Sequence, residues 1–600
     1  MKKSYYIFCI VCIFLIGACS ACSNASEPES SGSGEGVAGY DENTDSNSAT
    51  EPETTEETVT LYTPNIADDN YRNYYEIFVY SFSDSNGDGI GDLNGVTEKL
   101  DYIADMGFNG IWLTPIMPST TYHKYDVTDY MAIDEEFGTI DDFKNLMKEA
   151  FDRDIKVIID LPINHTSSQH PWFKEACAYL QGLDADAEPD VEECPYVAYY
   201  HFSREQESSS WYKVAGVDWY YEGSFWSEMP DLDLSCEALR SEFEEVAEFW
   251  INQMVIDGFR MDAPLHYEES DTAFNTEVLN WFYNVCKAYD PTVYMVSEVW
   301  ANEAVIADYY TSETPSMFNF DAAQAEGKLI KAARGKYSAE KLAAAMVQYE
   351  KDFGSNYADY IDAPFLTNHD MPRVSNALNN SEENLKRACA LLMMMRGSTY
   401  VYYGEEIGMA SSGTKDENKR LPMIWTDATG AANGGEISGT GTAAEECGMT
   451  VGPADADGGI TSKFGSVEQQ LEDPDSILNF YKTALSLRNA YPAIARGDTT
   501  IIDELTSDDI AVIRRSWEGD DTSWSDSTAY DPSTVYIVIN TGDSDEVTEV
   551  NLTGTVSVGT AGDAVSMDKL TLGGFLSVSE DVTLEDGILR IPGGAVVVLE

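Results

Sequence analysis

At 600 residues with 43% hydrophobic content, the chain is long enough for more than one domain around a large core. Its 36 basic residues face 105 acidic ones, a formal net charge of -69. That balance excludes nucleic acid and anionic membrane surfaces as partners, because both need a positive footprint, and it leaves a neutral polymer such as a polysaccharide as a compatible one.

In chain order, Lys2 and Lys3 precede an apolar stretch from Tyr5 to Ile16, too short to span a bilayer and patterned like a signal peptide. It ends in Ile16-Gly17-Ala18-Cys19, which resembles a bacterial lipobox. Residues 1–22 therefore read as a lipoprotein signal with Cys19 as the lipidation site; Cys22, or an ordinary secretory signal, are the alternatives. Ser23 to Thr58 holds no Lys or Arg and few large apolar residues. Such a segment cannot offset its chain entropy by burial, so residues 23–65 are expected to form a disordered tether between an envelope-anchored lipid and the folded part of the chain.

Strand-like runs then alternate with helical patterns, the signature of a parallel α/β sheet. Eight strands are predicted: Tyr75–Tyr80, Gly110–Thr114, Lys156–Asp160, Gly258–Asp262, Tyr294–Glu298, Met317–Phe320, Pro364–Asn368 and Tyr400–Tyr403. Helical periodicity fills the gaps, as in Leu93–Met106, Ile140–Arg153 and Leu239–Val255. Eight such units close a (β/α)8 TIM barrel, here predicted over residues 66–164 and 226–495. Residues 165–225, after the third strand, read as an inserted subdomain, and Thr426–Gly465 as an exposed loop. After a helix at Ser476–Asn489, short alternating segments predict a C-terminal antiparallel β-sandwich over 496–600. Cys177 and Cys194 are near enough in sequence for a disulfide, with only weak support.

Two patterns carry chemistry. Asp84-Ser85-Asn86-Gly87-Asp88-Gly89-Ile90-Gly91-Asp92 follows the first strand, and alternating oxygen-bearing side chains on a Gly-rich turn suit a hard cation. Asp84, Asn86, Asp88 and Asp92 would offer side-chain oxygens and Ile90 its carbonyl, so a structural Ca2+ is expected. The second pattern is three acids, Asp262, Glu298 and Asp370, at the ends of three apolar strand-like runs. A parallel barrel gathers such ends on one face, and cleavage of a glycosidic bond uses a pair of carboxyl groups across it.

With these blocks in place the chain resembles the α-amylase family, glycoside hydrolase family 13, over nearly all of its folded length. The blocks run in order: the calcium loop, Lys124-Tyr125-Asp126-Val127-Thr128-Asp129-Tyr130, Asp160-Leu161-Pro162-Ile163-Asn164-His165, Met229-Pro230-Asp231-Leu232-Asp233, Gly258-Phe259-Arg260-Met261-Asp262-Ala263, Val296-Ser297-Glu298-Val299-Trp300, Phe365-Leu366-Thr367-Asn368-His369-Asp370 and Gly397–Gly404, with Thr399 where the family often has proline. The resemblance implies Asp262 as nucleophile, Glu298 as general acid/base and Asp370 as transition-state stabiliser. Arg260, two residues before Asp262 and so on the same strand face, would keep Asp262 ionised. His165 and His369 would hydrogen-bond the sugar beside the cleavage point, Tyr125 would stack on it, and Arg373 would orient Asp370. Ala263 after the nucleophile implies α-1,4 specificity, since valine there accompanies α-1,6 cleavage.

Leu265 stands where many α-amylases carry a lysine, and the Met-Pro-Asp-Leu-Asp block resembles an intermediary branch. A second calcium site at Asn164, Asp231 and the His266 carbonyl is left open. With the lipobox, what the resemblance implies is a monomeric, lipid-anchored, extracellular α-amylase acting on α-glucan polysaccharides or oligosaccharides. A 4-α-glucanotransferase or neopullulanase-type relative is the alternative. A starch-binding surface protein is a third reading; catalytically dead members lose one or more of the acids, and all three are present here.

Overall fold

The computed structural model describes residues 59–411, 413, 415–426, 448–457, 462–519, 533–558, 563–579 and 581–600. Cys19 and nearly all of the expected tether lie outside them, as does most of the expected loop 426–465. Eight parallel strands form the central sheet: β1 (Asn73–Ile77), β2 (Gly110–Leu113), β3 (Lys156–Leu161), β7 (Gly258–Met261), β8 (Tyr294–Ser297), β9 (Ser316–Phe318), β10 (Ile361–Ala363) and β11 (Thr399–Tyr402). Their order is β10-β9-β8-β7-β3-β2-β1-β11, and a parallel bridge from Phe365 to Tyr400 joins the two ends into a barrel. The strands are buried on both faces, as parallel strands under helices must be.

The barrel interior is filled by aromatic rings. Tyr74 of β1 stacks on Tyr400 of β11 at 4.8 Å and on Tyr294 of β8 at 5.4 Å. Trp112 of β2 lies above, with Phe318 of β9 at 5.2 Å. Backbones approach closely here: a Cβ on Gly258 would stand 1.8 Å from the Tyr294 carbonyl oxygen, which only glycine avoids. That glycine seats β7 against β8 and so sets the height of Arg260 and Asp262.

Two strands differ from expectation. The first begins at Asn73 and ends at Ile77, and Val79–Phe82 forms a helical turn. The seventh runs Ile361–Ala363 rather than Pro364–Asn368. Pro364 has no N–H for the ladder, so the regular strand ends before it, although the Pro364 carbonyl still accepts the Tyr400 N–H at 3.0 Å and Phe365 bridges to Tyr400. Of the helices, Leu93–Met106 is broken at Lys99, and Glu237–Ala247 continues as a π-helical turn, Glu248–Gln253. The helix Ile140–Phe151 starts at a Thr139/Asp142 capping box.

The insert after β3 holds the helix Pro171–Gly182 and a small antiparallel sheet of β4 (Phe202–Ser203), β5 (Trp211–Lys213) and β6 (Tyr220–Glu222), ordered β4-β6-β5. Cys177 and Cys194 within it are free thiols, so the disulfide considered from the sequence is absent. Residues 59–65, expected as the end of the tether, are docked: Asn65 N–H donates to the Asn489 carbonyl at 2.8 Å and Tyr62 to Ser486 at 3.3 Å.

At the C-terminus a five-stranded antiparallel sheet contains Asp498–Ile501, Ile510–Trp517, Ser533–Asn540, Val596–Leu599 and Leu572–Leu576 in spatial order. Its strands alternate. Val512, Tyr536, Val538 and Val597 face the sandwich interior, whereas Ala511, Ile513, Ile537 and Val598 join the barrel core. Arg515, fully buried, donates to the carbonyls of Ile494 and Met394 and ties the sheet to the barrel. No described helix is long and apolar enough to cross a membrane.

Candidate active site

Arg260 organises the mouth of the barrel. Its side chain is fully buried, with the guanidinium 5.2 Å above the Trp112 ring. One end-nitrogen, Nη1, lies 2.6 Å from Asp262 Oδ1 and 2.7 Å from Asp160 Oδ1; the other, Nη2, lies 2.9 Å from Glu298 Oε2. A single cation thus faces three carboxyl groups delivered by β3, β7 and β8. Such a buried cation is stabilised only by partners of this kind.

The two flanking acids are held in opposite states. Burial, with the Asp262 and Asp370 carboxylates adding to it, pushes Glu298 up to about 8 against the pull of Arg260. Glu298 therefore carries a proton near neutrality. Asp370 is held well below the usual carboxylate range despite its burial, by His369 and Arg420. His369 Nε2 lies 3.2 Å from Asp370 Oδ2 and Arg420 Nη2 2.6 Å from Oδ1. Asp160 is raised by burial to about 6.

Two buried atoms point to a ligand. Glu298 Oε1 and His165 Nε2 have no hydrogen-bond partner among the described residues. Buried polar atoms are nearly always paired, so a donor and an acceptor from a bound molecule fit here. Both residues line a cavity of about 350 Å3 together with Tyr125, Asp262 and Asp370. Phe225, Met229, Leu265 and Trp300 give it an apolar wall. Trp300, 42% exposed, stacks on Phe320 at 4.9 Å, and Phe225, 47% exposed, packs edge-on against His165 and His266. Exposed ring faces beside convergent polar groups suit a pyranose, which has apolar faces and polar edges.

The structure brings Asp262, Glu298, Asp370, Tyr125 and His165 together on the wall of this cavity. Arg260 and His369 are fully buried behind that wall, so His369, expected to hydrogen-bond the sugar, instead contacts Glu76, Tyr125 and Asp370. Tyr125 sits with its hydroxyl 2.8 Å from Asp160 and its ring stacked on His369 at 5.5 Å. Arg373 is a correction. It is fully buried under the Tyr402 and Tyr403 rings, its Nη1 donates to the Tyr403 carbonyl, and no ion pair joins it to Asp370. The arginine that holds Asp370 is Arg420, on the loop after β11, which also pairs with Asp416 and donates to the Tyr122 hydroxyl at 3.1 Å. Sequence reasoning missed Arg420 because a lone arginine in a loop has no periodic signal. Glu76, a charged residue inside an apolar strand, did offer one.

The Asp84–Asp92 loop lies apart from the cavity. Asp84 accepts from the N–H groups of Asn86, Gly87 and Gly89 at 2.7–3.0 Å, and Asp92 from those of Ser85 and Gly95. Asn86 and Asp88 each accept from the N–H two residues on. The donor set is all oxygen and fits a hard cation. The carboxylates are turned onto loop amides, however, and no described group of three or more His, Cys, Asp or Glu is gathered around a metal position. At the open second site, Asn164 Nδ2 donates to Asp231 Oδ1 at 3.2 Å and Ser224 N–H to Oδ2 at 2.8 Å, so the two side chains satisfy one another and the insert.

Comparison with known proteins agrees with this geometry. The family described as Alpha amylase, catalytic domain, matches residues 76–497. Alpha-amylase 3 of Dictyoglomus thermophilum is 36% identical over 464 residues, 75% of this chain and 83% of its own. Among solved structures, Eubacterium rectale Amy13B superposes with a TM-score of 0.79 at 40% identity, covering 90% of this chain and 97% of its own. An α-amylase from H. orenii gives 0.69 at 32% identity, covering 89% and 99%. More distant matches carry glucosidase and glucanotransferase names.

Proposed function

The chain belongs to the α-amylase family of glycoside hydrolases, and from that premise we propose that it cleaves α-1,4-glucosidic bonds of starch and maltodextrins with retention of configuration. The observation that carries this reading is the pairing of a protonated Glu298 with Asp262 across one guanidinium. Retaining cleavage needs an acid that protonates the leaving oxygen and a carboxylate, about 5 Å away, that attacks C1. Asp262, ion-paired to Arg260, supplies the attacking oxygen, and Glu298 Oε1 faces the cavity where the leaving group would sit. Glu298, once deprotonated, takes a proton from the water that releases the sugar. Asp370 holds sugar hydroxyls and stabilises the charge that develops on the ring, with the buried His369 beside it as its charge partner.

A second reading, transfer to another sugar as in a 4-α-glucanotransferase, draws on the apolar wall of Phe225, Leu265 and Trp300, which offers a sugar acceptor more than it offers water. One experiment decides: incubation with amylose, pullulan, maltotriose and isomaltose, followed by product separation and NMR of the anomeric carbon. Shorter α-configured products from amylose and maltotriose are expected, with isomaltose slow, since Ala263 leaves room for an α-1,4-linked leaving sugar. Products longer than maltotriose formed from maltotriose alone would favour transfer, and inverted products would refute the mechanism.

Calcium at Asp84, Asn86, Asp88, the Ile90 carbonyl and Asp92 belongs to the same reading, as a brace for the loop after β1. The segment 448–457 returns to that loop, with Val451 N–H donating to the Gly89 carbonyl at 2.8 Å. A ligand that binds only the folded state stabilises it by about 4 kcal/mol at roughly a thousandfold above its dissociation constant. A chelator is therefore expected to lower Tm, and Asp88→Ala to show the lowered Tm without further response to chelator. Unchanged melting in that variant would remove calcium from the account.

The lipobox supports an extracellular, lipid-anchored position. Cys19→Ser is expected to move the protein from the envelope fraction to the medium with soluble-starch hydrolysis intact; retention of the variant in the envelope would exclude the anchor.

A further inference from the structure

One buried carboxylate behind the site has no part in the steps above. Glu76 of β1 is 1% exposed and, two residues after Tyr74, faces the barrel interior. Its Oε1 accepts the His369 backbone N–H at 3.2 Å and lies 2.6 Å from His369 Nδ1. At the other edge of the ring, Nε2 stands 2.6 Å from the Tyr125 hydroxyl and 3.2 Å from Asp370 Oδ2.

Counting hydrogens fixes the state of the ring. Tyr125 has one hydroxyl proton, directed to Asp160 Oδ2 at 2.8 Å, while Arg260 occupies the other Asp160 oxygen. Tyr125 can then only accept from Nε2, which must carry a hydrogen. Nδ1 lies 2.6 Å from Glu76 Oε1, which also accepts the His369 backbone N–H, and with Glu76 ionised the hydrogen of that contact is on Nδ1. A ring that donates from both nitrogens is an imidazolium.

The charges around it agree. Asp370 lies on its own loop, Glu76 approaches from β1, Asp160 and Arg260 from β3 and β7, and Glu298 from β8. Arg420 donates to the His369 carbonyl at 3.3 Å, and Glu405 feels the charges of both Glu76 and Arg373. Although burial opposes it, Asp370 and Glu76 push His369 up to about 10. A buried Glu76 carboxylate would be costly without that cation.

We propose that Glu76 is a positioning residue: it fixes His369 as an imidazolium, and through that cation keeps Asp370 charged and aimed at the sugar. The assignment to catalysis rests on the α-glucan-cleaving reading; the protonation state of His369 does not.

The test uses the full protein labelled with [15N]histidine, with His369→Asn to assign the signals. In the wild type both His369 ring nitrogens are expected to stay protonated between about pH 5 and pH 9, where an ordinary histidine titrates. In Glu76→Gln one of them should lose its proton within that range. The alkaline limb of kcat/KM on a maltooligosaccharide should move down by about one pH unit, with partial recovery in Glu76→Asp. Loss of the cation would by itself raise Glu298 and move that limb upward, so a downward move reports His369. A wild-type His369 that titrates near neutrality overturns the proposal, and so does a limb that stays put or rises in Glu76→Gln. Should Glu76→Gln fail to fold, the wild-type titration still decides. If the wild type cleaves no α-glucan, the functional reading falls while the titration remains decisive for His369.

Discussion

Asp262→Ala should reduce turnover of maltooligosaccharides by several orders of magnitude, because no covalent intermediate can form without the attacking carboxylate. Glu298→Gln should be as inactive on those substrates yet recover on an α-glucosyl fluoride, whose leaving group needs little protonation. Asp370→Asn should show no such recovery, since its charge stabilises the transition state itself. The pH dependence follows from the raised Glu298. The acid must hold its proton to donate it, so wild-type activity should be lost as pH rises through about 8. Glu298→Gln acting on the fluoride should lack that limb. An Asp262→Ala protein retaining more than about a hundredth of wild-type activity would contradict the assignment, since a positioned catalytic group contributes at least that factor.

Arg260→Met should be damaging in a second way. It replaces the one cation shared by Asp160, Asp262 and Glu298 with an apolar chain. Removing one partner of a buried ion pair costs about 3–5 kcal/mol, because the remaining charge is left unsolvated. The loss should depend on pH with a definite sign. Carboxyl groups without the arginine have folded-state pKa values raised above their unfolded ones, and Asp160 already lies at about 6 with it. Their neutral forms are tolerated, so the variant should approach wild-type stability below the ordinary carboxylate range, about pH 4, and fall away as pH rises past about 6. Urea denaturation at several pH values would measure this. A deficit that is small, or that does not change with pH, would mean that the arginine's charge is not what holds the three acids.

The two variants separate roles that share one guanidinium. Asp262→Ala removes a reacting atom but leaves Arg260 facing Asp160 and Glu298, so it should cost less stability than Arg260→Met, which should affect activity and stability together. Arg260→Lys keeps the charge without the planar fork. It should recover part of the stability but little of the activity, since one ammonium cannot reach carboxyl groups on both sides.

Much of the site was legible from residue order. Asp262 and Glu298 directly follow strands whose apolar runs are unmistakable, and a parallel barrel brings all such ends to one face. Arg260 could be placed beside Asp262 from the two-residue period of a strand. Leu265 and Ala263, close to Asp262 in sequence, line the same cavity as Asp262.

The misreadings have local causes. The seventh strand was drawn too late because Ala363–Leu366 is one continuous apolar run, and only the missing N–H of Pro364 shows where the regular strand stops. Arg373 was assigned to Asp370 on sequence proximity. In the fold it turns beneath Tyr402 and Tyr403, while Arg420, fifty residues away in sequence, reaches Asp370. The sandwich was recognised from alternation, but alternation alone could not tell which face meets the barrel; that is settled by Arg515 and Arg387, whose guanidinium groups bind carbonyls across the junction.

By itself, then, the sequence determined the barrel, the order of its elements and the three acids, because strand periodicity and strand-end residues are local properties. The states of those acids were decided only by the tertiary structure. Glu298 holds its proton because burial and two other carboxylates surround it, and Asp370 gives its proton up because His369 and Arg420 reach it from elsewhere. Charge interactions depend on distances through space and on exclusion of water, and neither is encoded in the spacing of residues along a chain.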